Sequence, residues 1–224
     1  MTSSVTSEDL TIELLPEDHS SFDISFKMIV VGDAGVGKSC LTTKAVLGTF
    51  EEAYSATIGF EFMVINIKIN DKVIRLQIWD TCGQEIYRSL INSFYRNASL
   101  AMMVYAIDDE DSFKHIQMWL NEIKLKSHPD IKVFLIGNKS DLEKRRVVSK
   151  EMAQKLKEEN DIHFFSEASA KSGFNAKQVF IEAAKLLYID RLKYKHIDKY
   201  INDIPMPINK NKKQKKRKKG GCCS

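Results

Sequence analysis

At 224 residues the chain is long enough for one domain with a full core plus tails, and its 43% hydrophobic and 29% charged composition is that of an ordinary globular protein. Its longest apolar run, residues 100–107, falls far short of the roughly 20 residues a membrane-spanning helix needs. The N-terminus has neither the basic nor the apolar block of a secretory signal. The net charge of +4 conceals two opposite ends. Residues 1–26 carry Glu8, Asp9, Glu13, Glu17, Asp18 and Asp23 without a Lys or Arg. Residues 205–224 carry Lys210, Lys212, Lys213, Lys215, Lys216, Arg217, Lys218 and Lys219 without an acid. Cys40 and Cys82 stand alone while Cys222 and Cys223 are neighbours, a spacing that suits neither a secreted disulfide framework nor a zinc finger and fits a reducing compartment.

In chain order, residues 1–22 are rich in Ser, Thr and acid and are expected to be disordered, so that 1–25 forms an acidic extension. FKMIVV (26–31) reads as a buried strand, followed by a glycine-rich turn and a helix over about 38–47. Residues 62–69 alternate, placing Met63, Ile65, Ile67 and Ile69 on one face. The turn Asn70-Asp71 joins them to VIRLQIWD (73–80) as a hairpin. Strands at 100–107, 132–137 and 162–166 then alternate with helices at 111–126, 149–159 and from about 175. This pattern predicts an α/β fold with a six-stranded, mostly parallel sheet, one antiparallel edge strand, and helices on both faces. The last helix has two readings beyond Leu187. The spacing of Tyr194, Ile197, Ile201 and Ile204 would carry it on until Pro205 and Pro207 stop it; the other is a frayed end leading into a linker.

GDAGVGKS (32–39) matches G-x-x-x-x-G-K-[ST], the P-loop. Following a strand and opening a helix, its backbone N–H groups at Gly35, Val36, Gly37, Lys38, Ser39 and Cys40 would wrap the α- and β-phosphates of a nucleotide at the positive helix end. Lys38 would reach the β- and γ-phosphates, and the Ser39 hydroxyl would bind Mg²⁺. In WDTCGQE (79–85), Asp80 can hold the magnesium through water, Gly83 can offer its N–H to a γ-phosphate, and Gln84 can orient an attacking water. An Asp at a strand end is by itself usually the start of a turn; the P-loop upstream gives this one a ligand.

P-loops serve ATP and GTP alike, so the base is read elsewhere. NKSD (138–141) follows a strand at the carboxyl edge, where open parallel sheets bind ligands. The Asp141 carboxylate can accept from guanine N1–H and the exocyclic amine, a donor pair that adenine lacks. Asn138 would brace the loops and the Lys139 stem would lie over the base, although NKSD alone could equally be a helix-capping turn. In SAK (169–171), Ser169, Ala170 and Lys171 follow the last strand, and the Ala170 N–H would serve guanine O6.

With these elements in order, residues 26 to about 188 resemble a small GTPase of the Ras superfamily, and within it a Rab. The further likenesses are IGFEF (58–62), RLQIWDTCGQE (75–85), FYRNA (94–98), VYAID (104–108) and the terminal cysteines. The resemblance implies a P-loop NTPase G-domain over 26–190 and a hypervariable basic tail over 191–224. It implies GTP/GDP and Mg²⁺ as cofactors, Thr57 as a switch ligand of the metal, and Phe50 stacked on guanine. Gln84 becomes the catalytic residue, and Ile58, Phe62, Trp79 and Phe94 an effector surface. An exchange factor, a GTPase-activating protein, effectors and an escort protein or GDP-dissociation inhibitor become the expected partners of a monomer. Cys222 and Cys223 become geranylgeranylation sites, holding the protein on the anionic cytoplasmic face of endomembranes during vesicle trafficking, in exchange with the cytosol. Several residues depart from the family pattern: Cys82 for alanine, Phe94 for tyrosine, Ile86 for a basic residue, Ala106 for aspartate and Ala168 for threonine. Three alternatives stand beside this reading: a P-loop ATPase or nucleotide kinase, a slow or non-cycling GTP-binding scaffold, and a basic tail serving nuclear import or RNA, for which no specific nucleic-acid contact is expected.

Overall fold

The computed structural model describes residues 10–16, 18–51, 59–81 and 94–202, without the side chains of 194–202. Among the described residues, seven strands form one sheet: β1 (Ile12–Leu14), β2 (Ile24–Val31), β3 (Phe60–Ile69), β4 (Lys72–Thr81), β5 (Leu100–Ala106), β6 (Lys132–Asn138) and β7 (Phe164–Glu167). Their order is β1-β3-β4-β2-β5-β6-β7. β4, β2, β5, β6 and β7 run parallel to one another, and β3 is antiparallel to β4. Every residue of β5 is buried, as a central parallel strand requires when both sheet faces are covered. Helices α1 (Lys38–Val46), α2 (Glu110–Lys114), α3 (Ile116–Lys126), α4 (Lys150–Glu159) and α5 (Gln178–Asn202) supply that cover. One cluster joins Ile29, Val31, Met103 and Tyr105 of the sheet to Ile116, Trp119, Leu120 and Ile123 of α3.

The sheet has one strand more than the six expected, and the extra strand comes from the segment read as disordered. β1 pairs antiparallel with the end of β3, Ile12 opposite Ile69 and Leu14 opposite Ile67. The reversed strand β3 is therefore not the sheet edge along its whole length. Polar composition argued for disorder, yet the backbone hydrogen bonds of an open strand edge can order a short segment without a large apolar face. Farther along, Arg75 and Asn66 hold the same segment by its carbonyls. The Arg75 guanidinium donates to Asn66 Oδ1 at 2.9 Å, His19 O at 2.9 Å and Ser20 O at 3.1 Å. It also lies 4.1 Å from the centre of the Phe22 ring. Asp23 closes the arrangement by accepting from Val73 N at 2.8 Å and pairing with Lys72.

The single helix expected over 111–126 is two helices. Asp109 caps α2 by accepting from the N–H groups of Asp111 and Ser112. The chain then tightens at His115, whose carbonyl accepts from both Met118 N and Trp119 N. The break re-aims α3 so that Ile116, Trp119, Leu120 and Ile123 all enter the core. The last helix does run past Leu187, to Asn202. Its buried residues Val179, Phe180, Ala183, Ala184, Leu187 and Tyr188 follow helical spacing. The chain divides after Asp190, and the candidate site lies entirely in the first unit.

Arg75→Ala is expected to release residues 18–23 while leaving nucleotide binding unchanged. Losing its charge-assisted bonds should lower stability by about 2 kcal/mol, read as a lower melting temperature together with new proteolytic cleavage in that segment.

Candidate nucleotide site

The loop between β2 and α1 is shaped by close backbone approaches. Gly32 has φ +141°, and a Cβ there would sit 2.1 Å from the Val104 carbonyl oxygen. Gly37, at φ +90°, would place a Cβ 2.5 Å from Asn138 Nδ2. The loop thus fits between β5 and the end of β6 only without side chains at these two points. Lys38 is 5% exposed, and its ammonium donates to Gly32 O at 2.9 Å and Asp33 O at 2.7 Å. These bonds fold the lysine back along the loop that would hold phosphates.

Asp33 is a residue the sequence reading did not single out. Its carboxylate takes Trp119 Nε1–H at 2.8 Å and lies 2.6 Å from His115 Nδ1. The loop is thereby tied from outside to the start of α3. The carboxylate raises the His115 pKa, chiefly through this hydrogen bond and then through its charge. No motif links positions so far apart in sequence; only the break between α2 and α3 brings them together.

Ser39 donates its hydroxyl to Asp80 Oδ2. Asp80 is fully buried, and its Oδ1 has no hydrogen-bond partner. Burial pushes the carboxyl up to about 6, against the opposing effects of the Ser39 bond and the Lys38 charge, while Glu61 adds to the rise. A buried, half-satisfied carboxylate beside a hydroxyl is a hard-oxygen pair of the kind that holds a divalent cation. Cys40, next in α1, is half-buried, and burial raises its thiol pKa.

Asn138 joins three loops. Nδ2 donates to Val36 O at 2.9 Å and Gly37 O at 3.2 Å, and Oδ1 accepts from Ala170 N at 3.3 Å. The side chain is 1% exposed, so each bond replaces water that cannot reach it. Lys139 follows in the left-handed region at φ +63°, with its ammonium 4.0 Å from Asp108 Oδ1. It opens a 3-10 turn, Ser140–Arg145, which presents Asp141 to solvent. Ser169 is fully buried and donates Oγ–H to Asp141 Oδ1 at 2.5 Å. Lys171 is exposed. The structure thus draws Val36, Gly37, Lys38, Ser39, Asp80, Asn138, Asp141, Ser169 and Ala170 to one end of the parallel sheet. Gly35 is exposed in the same loop. Phe50 is half-buried beyond α1 and makes no ring contact among the described residues. Thr57, Ile58, Gly83 and Gln84, with Cys82 and Ile86, lie outside the described residues.

The aromatic residues singled out beside this site do meet. Phe62 is edge-on to Trp79 at 5.1 Å between ring centres, and Trp79 lies 5.3 Å from Phe94. Phe60, which the sequence reading left out, belongs to the same cluster at 4.6 Å from Phe94 and 5.3 Å from Trp79. Its position two residues before Phe62 on a strand was the available signal. Phe60 and Phe62 are 45% and 50% exposed, so the cluster is a surface and not only a core.

Residues 27–189 match the model of the Ras family. The chain is 41% identical over 165 residues to "Ras-related protein Rab-13" of Bos taurus, covering 74% of this chain and 81% of the relative. It is equally similar, over the same shares, to "Ras-related protein Rab-13" of Mesocricetus auratus.

Asp80 also sets a pH dependence. A carboxyl with a folded pKa of about 6, against an ordinary 3.8, holds its proton more tightly folded than unfolded. The ligand-free protein therefore loses stability as pH rises from 3.8 through 6. Asp80→Asn is expected to stabilise the magnesium-free, nucleotide-free protein at pH 7.5 by about 3 kcal/mol at most, read as a higher melting temperature. The gain should shrink towards zero near pH 4, and thermal melts across pH measure both.

Proposed function

The chain belongs to the Ras family as a Rab-type small GTPase, and on that premise we propose that it is a membrane-tethered switch that regulates vesicle trafficking. The observation that carries the nucleotide part is the buried Asn138 amide, which locks the phosphate loop to both segments read as guanine-binding. In this reading the N–H groups from Gly35 to Cys40 hold the phosphates and Asp141 takes the two donors of guanine. The Lys139 stem and Phe50 cover the base, with Lys171 at its rim.

Magnesium fits the residues present: Ser39 and Asp80 would hold it, the orphaned Asp80 Oδ1 gains a partner, and Thr57 would complete the set. Bound there, the ion would offset negative charge on the phosphate oxygens. Gln84 orients the water, Gly83 donates to the γ-phosphate, and Lys38 stabilises charge as the phosphoryl group leaves. Among the residues the motifs place at the γ-phosphate there is no arginine, so intrinsic hydrolysis is slow. An activating protein that supplies one would add about 10³–10⁵ in rate.

Thr57 and Gly83 would order their segments with GTP and free them after hydrolysis. Ile58, Phe62, Trp79 and Phe94 then form the effector surface, to which Phe60 is added. An exchange factor resets the switch, and an escort protein or GDP-dissociation inhibitor carries the monomer through the cytosol. No helix among the described residues is long and apolar enough to cross a membrane. Attachment to the cytoplasmic face of endomembranes is assigned to geranylgeranyl groups on Cys222 and Cys223. One lipid chain binds only marginally and two hold stably, and each nearby base adds about 1 kcal/mol on an anionic leaflet.

Competition of GTP against ATP for the purified protein tests the base site. GTP should win by orders of magnitude, and comparable binding of ATP would sink the guanine assignment. Cys222→Ser/Cys223→Ser should bind GTP normally yet remain cytosolic in cell fractionation. If the doubly substituted protein stays on membranes, the tether lies elsewhere.

A further inference from the structure

Arg146 stands directly after the 3-10 turn that carries Asp141, and every one of its five guanidinium N–H groups is engaged. Nε and Nη2 donate to the two carboxylate oxygens of Glu143 at 2.9 and 2.7 Å. Nη1 and Nη2 donate to the two oxygens of Glu167 at 2.6 and 2.9 Å. The remaining Nη1–H goes to Val148 O at 2.9 Å. One planar group is thus forked to two carboxylates at once, the geometry in which arginine is strongest and lysine cannot replace it. The two partners are not equivalent. The Glu143 side chain is 67% exposed, whereas those of Glu167 and Arg146 are 6% and 16% exposed. The Glu167 pairing is therefore little screened, and removing Arg146 would leave that buried carboxylate only the exposed Lys150 ammonium, 3.6 Å away, in place of a two-bond fork.

The placement of this pair carries the inference. Glu167 ends β7 and stands two residues before Ser169. The turn bearing Asp141 is fixed to that strand at its beginning, where Ser140 N donates to Ala168 O at 3.1 Å. Its far end has no such bond. No backbone hydrogen bond links residues 142–148 to 164–171, and Val147 and Val148 donate instead to Ile107 O. The Arg146–Glu167 fork supplies the missing fastening. Two struts then span the gap between the turn and the last strand, Asp141–Ser169 on the ligand side and Arg146–Glu167 behind it. With both in place the turn cannot swing on its Ser140 end, and Asp141 keeps its distance from Ser169 and Ala170.

We propose that Arg146 is a positioning residue for the base: through Glu167 it holds Asp141 at the spacing that guanine requires, and so slows nucleotide release. This rests on the guanine reading of Asp141. It does not touch the phosphate side, so Arg146 acts on retention and base selectivity and leaves the hydrolytic step alone.

The test uses the full chain with GDP and with inosine diphosphate, which lacks the exocyclic amine facing Asp141. Wild type should prefer GDP; equal binding of the two would sink the guanine reading itself, separately from any role of Arg146. Given that preference, Arg146→Ala should release GDP on the order of ten- to a hundredfold faster, the scale of a displaced contact in a tight site. The ratio of GDP to inosine diphosphate affinity should shrink, with single-turnover hydrolysis of bound GTP unchanged. Arg146→Lys keeps a cation beside Glu167, protects folding, and should fall between wild type and Arg146→Ala. Should Arg146→Ala fail to fold, Arg146→Lys decides alone. Unchanged release and selectivity in the variants that fold would overturn the proposal. So would an equal loss of affinity for both nucleotides, because a merely structural role weakens them alike.

Discussion

The nucleotide end of this molecule depends on one buried amide. Asn138 is the last residue of β6, yet its side chain reaches back to Val36 and Gly37 and across to Ala170. An amide has both donors and an acceptor, so a single planar group can satisfy backbone carbonyls of one loop and an N–H of another. A carboxylate could accept but not donate there, and an apolar side chain would leave two carbonyls and one N–H unpaired in a dry setting. Gly37 fits the same point because it has no Cβ to collide with the amide. Loop, strand end and final segment are therefore one mechanical unit around this contact.

Around that unit the fold places polar groups where burial makes them costly in isolation. Asp80 is fully buried with one oxygen unpartnered, and the upward displacement of its pKa is the physical sign of that cost. The Ser39 hydroxyl and the nearby Lys38 charge offset it only in part. On the proposed reading, a cation held there would convert an unfavourable buried charge into a favourable pair. The phosphate loop is also braced from behind, by His115 and Trp119 on Asp33. The base-side turn is braced from below, by Arg146 on Glu167. The groups proposed to face the nucleotide are thus held by contacts that lie outside the proposed site.

Much of this was legible in the sequence because the chemistry is local. A glycine-rich turn between strand and helix, an aspartate ending a buried strand, and a polar tetrad after another strand each occupy a few consecutive residues. The alternation of Met63, Ile65, Ile67 and Ile69 marked the inward face of β3, on which the three isoleucines are buried and Met63 is half-buried, since strand side chains alternate. Less legible was the N-terminal segment, whose polar composition hid a strand because its order comes from the open edge of β3 and from Arg75. Nor did helical periodicity reveal the break at His115, where a small change of backbone angle leaves the apolar spacing nearly intact.

By itself the sequence determined the alternation of strands and helices, the glycine-rich loop read as phosphate-binding, the aspartate beside it, and the paired segments read as the base site. Those follow from local periodicity and from side-chain types that the chemistry demands at short spacing. Only the tertiary structure decided that Ile12–Leu14 joins the sheet, that Asp33 is held by His115 and Trp119, that Phe60 completes the aromatic surface, and that Arg146 grips Glu167. Each of these pairs residues far apart in the chain. Periodicity says which face of an element is buried, but not which partner will be found across it, and that choice is made when the layers pack.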